Sequence, residues 1–269
     1  MKDAACLIIL LTIYAGLGFA DETGPNGLSK EPPTAEPVKN TDKLTLGINY
    51  EYGMLKHGQW TSLNLSLAYL TDKSLLQTPY LEISEFDRLD KKDYTIELGS
   101  YYKFKDASGY FGAGLGVDVD YVYKSKISAD YTNRLVNNYF GKISAKYLQH
   151  DNGDVAIISP GLVYYFGDHY LDADYNVSFT AERGSAGWFK VAGNFAFNET
   201  TKCRFGAMAG QRLYDINLAN ASSQKAYIIS AGIDYASSPE LNLRLGISFS
   251  REEPSFIKRG LDTGLALKF

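Results

Sequence analysis

The 269-residue chain has only 2 cysteines, 2 tryptophans, 3 histidines and 8 prolines. Each scarcity removes a class of protein. Cys6 lies in an apolar leader and Cys203 is left alone in the mature chain, so no intrachain disulfide is expected. The leader position also argues against lipid attachment at Cys6. His57, His150 and His169 share no helical or hairpin spacing and give no metal-ligand set. A histidine base needs a nucleophile and an orienting carboxylate within reach. His150 has Asp151 and Asp154 nearby in sequence but no serine motif such as G-x-S-x-G, so the chain reads as a non-enzyme without a cofactor. A net charge of −4 gives no pull towards nucleic acid. Beyond residue 20 no apolar run approaches the roughly 20 residues of a spanning helix.

The first 20 residues have a different character. Lys2 precedes an apolar stretch from Ala4 to Gly18, and Gly18-Phe19-Ala20 is a small-x-small cleavage site before Asp21. Residues 1–20 therefore read as a secretory signal peptide. Residues 21–42 are rich in Pro, Glu, Gly and Thr and cannot bury a core. They read as a flexible periplasmic segment, a spacer in preference to a tail with its own role or a plug for a lumen.

What the chain has in abundance is aromatic and small residues: 21 Tyr, 14 Phe and 25 Gly. Mean hydropathy is nevertheless below zero. Alternation of lipid-facing and lumen-facing residues produces this mixture, with Tyr gathered in interfacial girdles. From Lys43 onward the period is two. Leu44, Leu46, Ile48, Tyr50 and Tyr52 share one face while Thr45, Gly47, Asn49 and Glu51 share the other. The same split recurs in Leu63-Leu65-Leu67, in Phe111-Ala113-Leu115 and in Leu243-Leu245-Ile247.

Turn signals such as Asp151-Asn152-Gly153 and Phe166-Gly167-Asp168 separate these runs. The expected strands are 43–52, 59–70, 78–87, 93–104, 109–120, 123–132, 139–150, 153–166, 169–181, 186–198, 202–212, 225–237, 240–251 and 258–269. Pro79, the charges of 123–132 and Pro160 weaken the third, sixth and eighth, which leaves twelve strands as an alternative count. Most runs match the about 9–11 residues that a tilted strand needs to cross a bilayer.

The final strand carries a further signal. Asp262, Gly264, Leu267 and Phe269 fit the pattern of polar, any, Gly, two of any, apolar, any, aromatic that ends outer-membrane barrels and addresses them to the barrel-assembly machinery. An exposed apolar edge strand in a soluble sheet invites aggregation, whereas a closed barrel in lipid has no edge. The fold class is therefore all-β, a transmembrane antiparallel up-and-down barrel over residues 43–269 with outer-membrane lipid around it. Both ends are expected in the periplasm, with the longest loop, from Leu213 to Gln224, on the opposite side.

With the apolar faces towards lipid, the lumen wall receives Glu97, Asp118 and Asp120, then Lys124, Lys126, Lys142 and Lys146, then Asp172 and Asp174, then Lys190, Lys202 and Arg204. These arcs of alternating sign give a water-filled pore with a transverse field, or salt bridges that close the lumen. Side chains fill a barrel of about 8 strands and a channel remains at about 16–18, so fourteen leaves both readings open. The inward glycines relieve crowding where the wall curves and are not phosphate loops. The tyrosines serve as girdles before they serve as sugar platforms.

Trp60, Ile83-Ser84-Glu85-Phe86-Asp87-Arg88, Asp93-Tyr94-Thr95-Ile96-Glu97-Leu98, Tyr101-Tyr102, Gly109-Tyr110-Phe111 and Tyr164 through Leu171 form a recognisable set. With them, the stretch from Trp60 through Phe179 resembles the YaiO-type outer-membrane barrels. The resemblance implies a barrel in the outer membrane of a Gram-negative bacterium, in a family sometimes discussed near exopolysaccharide export. It brings no reaction. The functional expectation is a passive pore or export conduit for small polar or saccharide solutes. The alternative is a closed barrel with an envelope-structural or interaction role, and an outer-membrane enzyme ranks third.

Overall fold

The computed structural model describes residues 43–55, 58–71, 78–88, 91–104, 106–120, 122–151, 153–181, 184–212, 224–252 and 256–269. The expected signal peptide 1–20, the segment 21–42, the loop 213–223 and His57 lie outside the described residues.

Every regular element among them is a strand. In chain order these are β1 (Lys43–Leu55), β2 (Gly58–Leu70), β3 (Thr78–Arg88), β4 (Lys91–Lys103), β5 (Ala107–Val117), β6 (Ser125–Val136) and β7 (Tyr139–His150). There follow β8 (Gly153–Phe166), β9 (His169–Thr180), β10 (Gly184–Ala196), β11 (Thr201–Arg212), β12 (Gln224–Ala236), β13 (Leu241–Glu252) and β14 (Phe256–Lys268). Each pairs antiparallel with its chain neighbours, and β1 pairs with β14 to close the barrel. The expected count of fourteen holds. The irregular third, sixth and eighth runs all form strands, because a closed ladder imposes pairing where local pattern is weak.

The register keeps the apolar faces together on the outside. Leu65, Ile48 and Leu265 are partners across β2, β1 and β14 on the outer wall, Leu65 and Ile48 exposed and Leu265 half-buried. Tight hairpins sit at the rim that carries both barrel ends, here the terminal rim. Asn137 (φ 47°) and Gly167 (φ 62°) take the left-handed backbone that two-residue connections require. An aromatic band runs around the outside of this rim through Tyr139, Tyr164, Phe166, His169, Phe195 and Phe205, with successive ring centroids 4.5 to 5.6 Å apart. This is the girdle expected at a membrane interface.

Most strand ends differ from the expected bounds by one to four residues, β1 running to Leu55 and β6 to Val136 for example, and two of the differences bear on the lumen. β5 stops at Val117, not 120, because Asp118 turns to φ 53° and breaks the extended chain. β6 begins at Ser125, not 123. The residues between them, at the other rim, here the loop rim, leave the wall and turn inward.

Candidate functional site: the lumen

Inward residues of adjacent strands stand side by side in register, and an inward glycine leaves a gap that the neighbouring side chains cross. Glu97, Gly114 and Lys126 are partners across β4, β5 and β6. Lys126 Nζ reaches over Gly114 to Glu97 Oε2 at 2.7 Å. Glu97 also accepts hydrogen bonds from Tyr80 (2.8 Å) and Tyr110 (2.7 Å), whose rings stack. The device recurs with Lys142, Gly161 and Asp174 on β7, β8 and β9. There Lys142 Nζ lies 3.1 Å from Asp174 Oδ1 and 2.6 Å from Asp172 Oδ2. Across Gly232 and Gly246 it spans two strands, with Arg204 Nη2 3.5 Å from Asp262 Oδ2.

Charges therefore neutralise along the wall and do not face one another across the lumen as opposing arcs: Lys126 and Lys142 reach over one glycine, Arg204 over two to Asp262, and Lys258–Glu51, Arg204–Asp234 and Arg244–Asp234 join neighbouring strands. Lys126 is only 2% exposed and Glu97 4%, so these groups are packed into the lumen interior. A buried charge needs this pairing. Lys258 of β14 binds Glu51 of β1 at 3.2 Å and lies 3.5 Å from the centre of the Trp60 ring, itself fully buried beside Gly53.

The expected lumen residues divide by position. Glu97, Lys126, Lys142, Lys146, Asp172, Asp174, Lys190, Lys202 and Arg204 stand at inward positions of strands, as the alternation requires. Asp118, Asp120 and Lys124 do not, and the premature end of β5 is the reason. All three are exposed in the connection at the loop rim, where Asp120 pairs with Lys91 at 2.6 Å and Lys124 with Asp151. Of the four expected assembly-signal residues, Asp262 and Gly264 face the lumen and Leu267 and Phe269 the outside. Alternation also offered Glu51, Asp93, Asp234, Arg244 and Lys258, which were missed. They sit in runs whose inward face is mostly small and polar.

Between Asp118 and Lys124 the chain folds into the mouth. Asp93 of β4 fixes it, accepting the backbone N–H of Asp120 at 3.0 Å and of Val122 at 2.8 Å. Lys124 N–H donates to Gln149 O at 2.7 Å. Val122 and Tyr123 are thereby buried, and Tyr123 joins an apolar cluster with Leu148, Val155, Ile157, Trp188 and Met208. These five and the sixth partner, Ala226, are inward residues in the loop-rim part of β7, β8, β10, β11 and β12. Apolar packing of this kind excludes water from a lumen.

The histidines described have structural partners. His169 Nδ1 accepts the Ala196 N–H at 3.0 Å, and His150 bonds the Val122 backbone. Among the described residues no group of three or more His, Cys, Asp or Glu side chains is arranged to hold a metal ion.

The YaiO membrane beta barrel domain matches residues 43–202, more than half of the chain. The chain belongs to the YaiO family. It is accordingly a β-barrel of the bacterial outer membrane. Among the solved structures, a bacterial polysaccharide outer membrane secretin aligns with TM-score 0.59 at 8% identity, covering 84% of this chain and 98% of that one. The CymD monoaromatic hydrocarbon channel aligns at 0.55 and 12%, covering 92% and 94%. Omp33 of Acinetobacter baumannii aligns at 0.53 and 9%, covering 86% and 100%. At these identities the likeness is one of fold. No curated protein sequence matches the chain. As a YaiO barrel, the chain carries a wall built on glycine-bridged ion pairs and an inward segment closing on an apolar cluster.

Proposed function

We propose that this YaiO-family barrel is a gated conduit for small polar solutes across the outer membrane of a Gram-negative bacterium, with residues 118–120 and 122–124 as its stopper at the outer mouth. The observation that carries the reading is the burial of Val122 and Tyr123 inside the lumen while the backbone around them is held by a few bonds, two to the Asp93 carboxylate, one to His150 and two through Lys124 to Gln149 and Gly116. A wall strand is held by a full ladder on both sides; this segment is held by a few bonds. Segments of that kind supply the moving parts of proteins. The orientation that puts the terminal rim in the periplasm belongs to the same proposal, as does the absence of a catalytic role. His150 and His169 support that absence because each is engaged by backbone.

The second reading is a closed barrel with a structural or interaction role in the envelope, and the packing of Trp60, Lys126 and Leu148 favours it. Planar-bilayer conductance of refolded residues 21–269, with Asp93→Ala alongside, separates the two. The conduit reading expects rare, brief openings in the wild type and long-lived ones in the variant. Silence from both, in protein shown to be folded, transfers the weight to the closed barrel.

A further inference from the structure

Glu97, Lys126, Lys142, Asp172, Asp174, Arg204, Asp234, Arg244, Lys258 and Glu51 are matched acid to base in the lumen, and the terminal rim differs. Lys43 opens β1, Lys268 closes β14 and Lys202 opens β11, and all three occupy inward positions there. Thr45 is the register partner of Lys268, so Lys43 and Lys268 stand on neighbouring strands at the same level of the mouth. Lys43 and Lys202 both act electrostatically on Lys268. Among the described residues none of the three has an ion-pair partner.

The carboxylate side chains described near this rim are paired with other cations or stand outside the wall. Asp234 stands opposite Lys202 in register, yet its Oδ1 accepts from Arg204 at 2.8 Å and from Arg244 at 3.2 Å. Asp262 lies beside Arg204. Asp168, Glu199 and Glu240 are exposed in the turns outside the wall, and Glu240 accepts from the Ser238 hydroxyl. Among the described residues three lysine charges are left over on the inner face of this rim, against a protein wall of low dielectric. Such a geometry focuses the field and raises the local concentration of counter-ions. Elsewhere in this lumen inward cations stand within ion-pair distance of acids; here three inward lysines share one rim without such a partner among the described residues.

We propose that Lys43, Lys202 and Lys268 form an anion-binding vestibule at the terminal rim, which takes solutes bearing carboxylate or phosphate groups. As the entry to a conduit the vestibule rests on the function proposed above; as a binding site it stands without it. The probes are citrate and pyrophosphate, titrated calorimetrically into folded residues 21–269 in neutral detergent. The variants are Lys43→Gln/Lys202→Gln/Lys268→Gln and, at the opposite rim, Lys225→Gln, with retarded gel migration of unheated samples as the check on folding.

Saturable binding in the wild type and Lys225→Gln, weakened at least about tenfold in the triple variant and by salt near 1 M, is the expected result. A response to one probe alone assigns the site to that group. No binding to the wild type, or equal binding to the triple variant, overturns the vestibule even where the barrel conducts. Binding that is lost in the triple variant of a barrel that never conducts keeps the site and removes the conduit.

Discussion

Lys126 Nζ lies 2.7 Å from Glu97 Oε2 although the two residues belong to β6 and β4, which do not pair with each other. Gly114 of β5 stands between them in register, and its missing side chain is the space through which the lysine passes. Removing one member of such a buried pair leaves an uncompensated charge, at a cost of about 3–5 kcal/mol. Glu97→Ala is expected to lower the urea midpoint of the refolded barrel accordingly. Adding Lys126→Met recovers most of the loss. Equal midpoints for the single and double variants would show that the pair carries no such weight.

Gly161 tests the same device from the glycine side. A Cβ placed there would overlap Asp174 Oδ1, so Gly161→Val must push Asp174 away from Lys142. Overpacking of this kind costs about 1–3 kcal/mol. The thermal unfolding temperature should fall, while Gly167→Asn, in an open turn that tolerates the left-handed backbone, leaves it nearly unchanged.

Both tryptophans are inside the barrel and neither faces lipid. Fluorescence of the folded protein should be blue-shifted and resist quenching by brominated lipid at any bromine depth. Strong quenching by lipid bromine would place Trp60 or Trp188 on the outer wall and contradict the register assigned here.

The Asp93 carboxylate accepts two backbone N–H groups of the inward segment. Hydrogen bonds to a charged acceptor contribute about 1.5–3 kcal/mol each. A cysteine introduced by Tyr123→Cys, with Cys203→Ala removing the exposed native thiol, should react slowly with a charged maleimide. Asp93→Ala should speed the reaction by at least about tenfold. An unchanged rate would mean that Asp93 does not hold the segment.

Phe269 is exposed on the outer wall and bonds Leu44 through backbone alone, at 2.8 Å and 3.3 Å. Phe269→Ala should therefore leave the unfolding midpoint of purified barrel within about 0.5 kcal/mol of the wild type. If the residue addresses the barrel-assembly machinery, the same variant shows a reduced amount of folded protein in the outer membrane of cells. Normal amounts in cells would remove that role.

Much of this was legible in the residues. The period-two alternation of Leu44 to Tyr52 and its repeats determined fourteen strands, which residues face lipid, and nine of the twelve lumen charges, because side chains on a strand have only two directions. Residues 118–124 were not legible. Val119 and Asp120 continue the alternation of β5 on paper, and only the turn at Asp118 with the hold of Asp93, far back in sequence, takes them off the wall.

The partners of the charges were equally beyond the sequence. Glu97 and Lys126 are 29 residues apart, and their meeting depends on the register that sets Gly114 between them. A strand's own residues decide its faces, since that is local stereochemistry. Register, closure of β1 on β14 and the filling of the lumen arise from contacts distant in sequence, and these the tertiary structure alone decided.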